Sequence, residues 1–113
     1  MSDFSRGDVW LVSIDPGRGR EQSGIRPVLL VSDDRFNNGP AELVIAIPLT
    51  TRDRALYSHI RVEAPEGGLK RKSFVMCEQI RNFSRERMLR RLGRVEKVTM
   101  FKVENILQSL LYL

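Results

Sequence analysis

The sequence predicts an α+β fold, in which a small, strongly bent β-barrel of the SH3-like type carries a short helix and a C-terminal amphipathic helix. Three observations lead to this prediction. The chain has 113 residues, enough for one domain but not two, so residues 1–113 are expected to form a single domain. Short apolar stretches separated by polar, turn-rich segments fill the first two thirds of the chain. Near its end, apolar side chains recur at helical spacing.

Five segments have the apolar character of short strands. Some alternate apolar and polar side chains, as half-buried strands do, and others are continuously apolar, as buried strands are. Pro48 places the end of the third strand at an edge or a bulge. The predicted strands cover residues 9–14, 28–32, 43–49, 59–63 and 73–79.

The segments between these strands are polar. Residues 15–24 predict a long loop, because they hold three glycines and a proline. Residues 33–40 predict a turn with room for a single helical turn. Residues 51–58 predict a second polar loop, and residues 66–70 a Gly-Gly hairpin turn.

The pattern changes to helical after residue 81. Asn82 or Ser84 can cap a short helix that runs to about residue 92 and ends at Gly93. Its apolar side is formed by Met88, Leu89 and Leu92.

The second predicted helix closes the chain. From residue 96 to residue 111, apolar side chains recur at helical spacing, which predicts an amphipathic helix. One helix on a small barrel leaves some of Leu110, Leu111 and Leu113 exposed, and such a patch often contacts a second copy of the chain.

Basic residues exceed acidic ones. Nineteen basic residues against fourteen acidic ones give a net charge of +5, and the isoelectric point is near 10.0. Fifteen of the nineteen are arginine, whose planar fork matches phosphate. This excess predicts a polyanionic partner, either nucleic acid or an acidic protein, and the alternative is a solubilising surface.

Several classes of protein and site are excluded by what the sequence lacks. Cys77 is the single cysteine and His59 the single histidine, which excludes an internal disulfide, a multi-cysteine zinc site, a histidine-rich metal centre and a two-histidine acid/base pair. No apolar run approaches about 20 residues, so no membrane span is expected. The first ten residues lack the apolar core of a signal peptide, so a cytoplasmic location is expected.

Four short motifs occur in a fixed order along the chain. They are GDVW at residues 7–10, GREQSGIRPV at 19–28, IPLTT at 47–51 and CEQIR at 77–81. In this order and spacing, the chain resembles the MazF/PemK family of toxins over nearly its whole length.

The resemblance implies a fold and a function. The implied fold is the small barrel of MazF/Kid/CcdB type, and the implied protein is a homodimeric mRNA interferase of a type II toxin–antitoxin system. It would cleave single-stranded RNA or mRNA at specific sequences without a metal or other cofactor, leaving 2′,3′-cyclic phosphate and 5′-hydroxyl ends, and an acidic MazE-like antitoxin would neutralise it. The alternatives are a toxin of the same fold that binds DNA gyrase and a plain nucleic-acid-binding barrel.

The resemblance also points to catalytic residues. Arg26 would stabilise the negative charge that grows on the phosphoryl oxygens, and Thr50 would position the scissile phosphate by a hydrogen bond. Taken alone, Arg26 could be a solvated charge and Thr50 a turn cap. Glu78 is either the general base for the 2′-hydroxyl or the partner of Arg81 or Arg26 in an ion pair.

Polar and basic residues around these positions are candidates for RNA binding. Arg20 stands where some family members carry serine or histidine, and a phosphate contact by its side chain is favoured over a guanine edge. The RNA-binding candidates are Arg18, Arg20, Glu21, Gln22, Thr51, Arg52, Arg54, Gln79 and Arg81.

Other conspicuous side chains are assigned to the framework. Trp10 and Phe74 are expected in the core, Cys77 as a small buried residue, and His59 on the surface of a strand. Met76 stands where some family members place an arginine two residues before the carboxylate.

Overall fold

The fold consists of antiparallel strands and two helices. The computed structural model describes residues 3–14 and 24–113. Within these residues, the helices are α1 (Asp34–Asn37) and α2 (Lys97–Leu111), and single 3₁₀ turns cover Glu66–Gly68, Cys77–Gln79 and Arg85–Arg87. The strands are β1 (Asp8–Ile14), β2 (Gly24–Leu30), β3 (Leu43–Thr50), β4 (His59–Val62), β5 (Ser73–Met76), β6 (Arg81–Ser84) and β7 (Met88–Arg94).

Strand β3 lies at the centre of the sheet. The strand order is β4-β5-β3-β2-β1-β7, and β6 also pairs with β3. On the edge away from β2, residues 43–46 of β3 pair with β6, and Leu49 and Thr50 pair with β5. Because two strands share this one edge, the sheet bends sharply. The predicted α+β class with a bent, barrel-like sheet is confirmed.

Both faces of the sheet bury apolar side chains. Along β1, Val9 packs into one cluster, and Trp10 and Val12 pack into the other, as strand alternation requires. Val103 of α2 belongs to the same cluster as Val9, so the closing helix covers that face. The core assignments of Trp10 and Phe74 are confirmed.

Two of the predicted helical segments are present as α1 and α2. Helix α1 is a single turn within residues 33–40, and its cap is Asp33, whose carboxylate accepts from the Arg35 backbone nitrogen. Helix α2 covers fifteen residues of the predicted closing helix.

The short helix predicted after Asn82 is wrong. The chain there forms β6, a 3₁₀ turn and β7. Ser84 does act as a cap, because its hydroxyl accepts from the Glu86 backbone nitrogen, but it caps only the 3₁₀ turn. Strand β7 pairs with β1 through two register shifts. Such bulges disrupt the two-residue alternation by which strands are recognised in a sequence.

Two other differences from the predicted boundaries concern site residues. Strand β2 begins at Gly24 and so includes Arg26. Strand β5 ends at Met76, and the following turn Cys77–Gln79 removes the expected strand alternation between Glu78 and Gln79.

The Gly-Gly segment forms a 3₁₀ turn packed on β7. Gly68 has a φ of +73°, and a Cβ atom there would lie 2.0 Å from the carbonyl oxygen of Leu92. Only glycine allows both this conformation and this close approach.

Candidate active site

Arg26 and Thr50 lie at the same end of the sheet on neighbouring strands. The β2–β3 ladder pairs Val28 with Pro48, and two residues further along each strand are Arg26 and Thr50. Because alternate residues of a strand share a face, both side chains lie on the face of Val28 and Pro48. The structure therefore places the two residues predicted to act on the phosphate at the same end of neighbouring strands, two positions beyond the last pair of the β2–β3 ladder.

Other strands hold both of these residues in place. Arg26 pairs with Val12 of β1, and Thr50 pairs with Phe74 of β5. Arg26 is exposed, whereas its strand neighbour Val12 and the Thr50 neighbour Phe74 are buried. A charged side chain thus extends from a backbone that the sheet fixes, as electrostatic catalysis requires.

The Thr50 hydroxyl has one contact to the backbone. Its oxygen accepts from the Arg52 backbone nitrogen at 3.2 Å, so Thr50 does cap the following turn, as the simpler interpretation predicts. A hydroxyl has one hydrogen and two lone pairs. Its hydrogen therefore remains available for a phosphate oxygen.

The loop after Thr50 presents two arginines to solvent. Residues 51–57 are all exposed, and the Asp53 carboxylate accepts from the Ala55 backbone nitrogen at 2.9 Å. In the part of the chain that the structure describes, neither Arg52 nor Arg54 forms an ion pair. Thr51, Arg52 and Arg54 are therefore accessible to a polyanion.

Glu78 contacts a serine and a histidine. Its carboxylate accepts from the Ser58 hydroxyl at 2.7 Å and from His59 Nε2 at 2.9 Å. Partial burial by itself raises the pKa of Glu78, but the hydrogen bonds from Ser58 and His59 outweigh burial, and the pKa is lowered. In one of the two predicted roles, Glu78 forms an ion pair with Arg81 or Arg26. Its observed partners are instead Ser58 and His59.

Glu78 lies past the end of β5, in the turn Cys77–Gln79. Thr50 pairs with Phe74, four residues before Glu78, so Glu78 lies outside the ladder that joins β3 and β5.

His59 is buried, which corrects its predicted place on a strand surface. Its side chain is only 2% exposed, because the Glu78 carboxylate holds it against the turn Cys77–Gln79. A carboxylate can only accept, so Nε2 carries the hydrogen. Within residues 3–14 and 24–113, the buried Nδ1 has no hydrogen-bond partner. No local sequence pattern indicates this contact, since the two residues lie 19 positions apart.

Cys77 is a buried free thiol, as predicted. Burial, with a smaller contribution from the nearby Glu78 charge, raises the pKa of Cys77 to about 12. The thiol therefore stays protonated and chemically inert.

The remaining predicted site residues have different surroundings. Gln79 and Arg81 are exposed. The Arg81 guanidinium lies 4.6 Å from the centre of the Phe83 ring, and its Nε donates to the Asn82 carbonyl. The other predicted RNA-binding residues lie outside the described residues: Arg18, Arg20, Glu21 and Gln22.

Residues 3–14 and 24–113 contain neither a candidate metal site nor a candidate membrane-spanning helix. No group of three or more histidine, cysteine, aspartate or glutamate side chains is arranged to hold a metal ion. No helix in these segments has the length and apolar character needed to cross a bilayer.

Comparison with known proteins gives consistent matches. The profile of a family described as PemK-like, MazF-like toxin of type II toxin-antitoxin system matches residues 5–111. Endoribonuclease EndoA of Bacillus subtilis (strain 168) is 34% identical over 104 residues, which cover 91% of this chain and 90% of that protein.

Solved structures match over the full chain. The crystal structure of MazF (Form-I) from Deinococcus radiodurans has a TM-score of 0.86 and 25% identity, and all of both chains is covered. The crystal structure of MazE-MazF (Form-II) from the same organism has a TM-score of 0.83 and 25% identity, covering 100% of this chain and 99% of that one.

Proposed function

The chain belongs to the family of PemK-like, MazF-like toxins of type II toxin–antitoxin systems, and we propose that it is an endoribonuclease that cleaves single-stranded RNA at specific sequences. The observation that supports this proposal is that Arg26 and Thr50 lie at the same end of neighbouring strands β2 and β3, in a chain similar to endoribonuclease EndoA. The exposed Arg52 and Arg54 next to this pair supply further positive charge for the RNA backbone.

Cleavage proceeds by attack of a ribose 2′-oxygen on the adjacent phosphorus. The new P–O bond forms as the bond to the 5′-oxygen breaks, which leaves a 2′,3′-cyclic phosphate and a 5′-hydroxyl. The 2′-hydroxyl loses a proton and the leaving 5′-oxygen gains one. Since the nucleophile is part of the substrate, this chemistry needs neither a metal nor a cofactor.

Arg26 and Thr50 act on the charge that grows on the phosphoryl oxygens. A guanidinium keeps its positive charge and can donate two parallel hydrogen bonds to a phosphate. The Thr50 hydroxyl, whose oxygen already accepts from Arg52, donates its hydrogen to the same group. General-base action by Glu78 stays a prediction, and its contacts favour a second role, in which it holds Ser58 and His59 at the end of the loop 51–57.

The protein is proposed to act as a homodimer that an acidic antitoxin inhibits. Leu111, Tyr112 and Leu113 expose apolar surface at the end of α2, which favours contact with a second copy. The net charge of +5 favours an acidic partner. The similar structure from Deinococcus radiodurans is of MazE-MazF.

The activity is tested by incubating the purified protein with a long single-stranded RNA of mixed sequence in EDTA. We expect cleavage at a small number of sites, with 5′-hydroxyl and cyclic phosphate ends identified by their response to polynucleotide kinase. Double-stranded RNA of the same sequence is the matched control and should stay intact. Binding without cleavage would favour a plain RNA-binding barrel, and loss of cleavage in EDTA would contradict the metal-free reaction.

A further inference from the structure

A groove with a basic rim opens beside the proposed active site. Its volume is about 280 Å³, close to the lower end for small-molecule pockets, about 300 Å³, so it holds about one nucleotide. Leu11, Pro27 and Leu92 form its apolar floor, and Lys70, Arg71 and Arg90 line it with positive charge.

The sheet register explains why these residues meet. Leu11 of β1 pairs with Pro27 on one side and with Arg90 on the other. The turn Glu66–Gly68 packs on β7 at Leu92. The chain that leaves this turn towards β5 therefore forms the opposite wall and places Lys70 and Arg71 across from Arg90.

Among the described residues, none neutralises the charge of this groove. In residues 3–14 and 24–113, none of Lys70, Arg71 and Arg90 forms a hydrogen bond or an ion pair through its side chain, and no acidic side chain lines the groove. Other arginines of β7 differ, because Arg91 and Arg94 contact the buried Asp8 carboxylate at 3.1 and 3.4 Å. Three uncompensated cations around an apolar floor suit a ligand that carries both phosphates and flat, apolar faces.

The groove adjoins the pair of Arg26 and Thr50. Pro27 directly follows Arg26, and Thr51, which also lines the groove, directly follows Thr50. Strand alternation puts Arg26 and Pro27 on opposite faces of β2. A single-stranded RNA bound at Arg26 would therefore reach the groove by passing around the end of strands β2 and β3, at Thr51.

We propose that this groove binds the single-stranded RNA on one side of the cleaved bond. One unstacked base lies on the apolar floor, and the phosphates next to it contact Lys70, Arg71 and Arg90. This inference rests on the proposed endoribonuclease function and adds a binding site outside the catalytic pair. The ligand is RNA rather than an acidic peptide because two groove residues, Pro27 and Thr51, directly follow Arg26 and Thr50 in the chain.

The test compares RNA oligonucleotides of two lengths. Both carry a cleavage site mapped on the long RNA, with a 2′-deoxy residue at the cleaved position so that binding is measured without reaction. The short RNA contains only the nucleotides on both sides of the cleaved bond. Two longer RNAs extend it by several nucleotides, one on the 5′ side and one on the 3′ side. The protein variants are the triple change Lys70→Ala, Arg71→Ala and Arg90→Ala, and the control Lys102→Ala, which removes an exposed cation of α2.

The wild-type protein should bind one of the extended RNAs more tightly than the short one. In the triple variant, this affinity advantage should fall by about tenfold or more. The log–log salt slope for binding the extended RNA should become less steep by about 2, because each of the three lost phosphate contacts contributes about 0.7. The control variant should retain the wild-type advantage and slope. Circular dichroism checks that each variant is folded.

Two results would overturn the proposal. One is an unchanged length advantage and salt slope in the folded triple variant. The other is unchanged RNA binding together with weakened inhibition by the cognate antitoxin, which would assign the groove to the antitoxin. Failure of the proposed function appears separately, as a wild-type protein that does not cut the long RNA. In that case the groove is tested by comparing how tightly the wild-type protein and the triple variant bind this uncut RNA, and equal binding would overturn the proposal.

Discussion

At the scale of single residues, the main unforeseen contact joins Ser58, His59 and Glu78. The Glu78 carboxylate accepts from both neighbours, and these hydrogen bonds lower the pKa of Glu78 against the effect of burial. Removing the carboxylate leaves a serine hydroxyl and a buried histidine without their acceptor. An unsatisfied buried polar group costs about 1–3 kcal/mol.

We therefore expect Glu78→Ala to lower the free energy of unfolding by about 1–3 kcal/mol at pH 7. The folded-state pKa of Glu78 lies below its unfolded value of about 4.3, so its contribution is fully present above that value and is lost as pH falls through the folded pKa. Urea unfolding at pH 7 and pH 3 measures this, with Glu63→Ala as the control for an exposed glutamate. An equal loss at both pH values would contradict the assignment.

At the scale of elements, the sequence reveals strands whose burial pattern is regular and misses those that are irregular. The first five strands and helix α2 are predicted because their apolar side chains follow strand or helix spacing. The single turn of α1 is predicted from the turn-rich composition of residues 33–40. Strand β7 is missed because its register shifts against β1 and its many arginines leave the few apolar side chains at helix-like spacing.

The candidate site divides in the same way. Arg26 and Thr50 are predictable from short motifs, because each lies at a fixed place in its own strand. The contact of Glu78 with Ser58 is not, because it joins segments 20 residues apart and depends on how β4, β5 and the turn after β5 pack. The basic groove depends on the turn Glu66–Gly68, whose packing on β7 no local pattern reveals.

Packing of the turn Glu66–Gly68 on β7 predicts a strong effect of Gly68→Ala. The new Cβ would overlap the Leu92 carbonyl oxygen, and the positive φ adds strain, so the free energy of unfolding should fall by more than about 2 kcal/mol. Gly24→Ala is the matched control, since Gly24 also has a positive φ but its added Cβ would meet no described atom within 4 Å. It should cost about 1 kcal/mol. Equal urea midpoints for the two variants would show that the close approach to β7 does not limit stability.

At the scale of the whole molecule, the distribution of apolar and basic surface predicts its assemblies. Leu111 and Leu113 are 52% and 88% exposed at the end of α2, and exposed apolar patches of this kind commonly bind a symmetry-related copy. Light scattering at micromolar concentration should give about twice the chain mass of 13.0 kDa. Leu111→Asp should shift the population towards the monomer, whereas a wild-type monomer would count against the dimer.

The central claim is that Arg26, held beside Thr50 on the sheet, stabilises the charge that develops as RNA is cleaved. The most direct measurement is the single-turnover cleavage rate of Arg26→Ala on one RNA with a mapped site, in EDTA, beside wild type and the surface control Arg35→Ala. Loss of such a donor lowers a rate by about 10²-fold or more, so Arg26→Ala should show that loss, and Arg35→Ala should match wild type. A folded Arg26→Ala protein that cleaves at the wild-type rate would contradict the account.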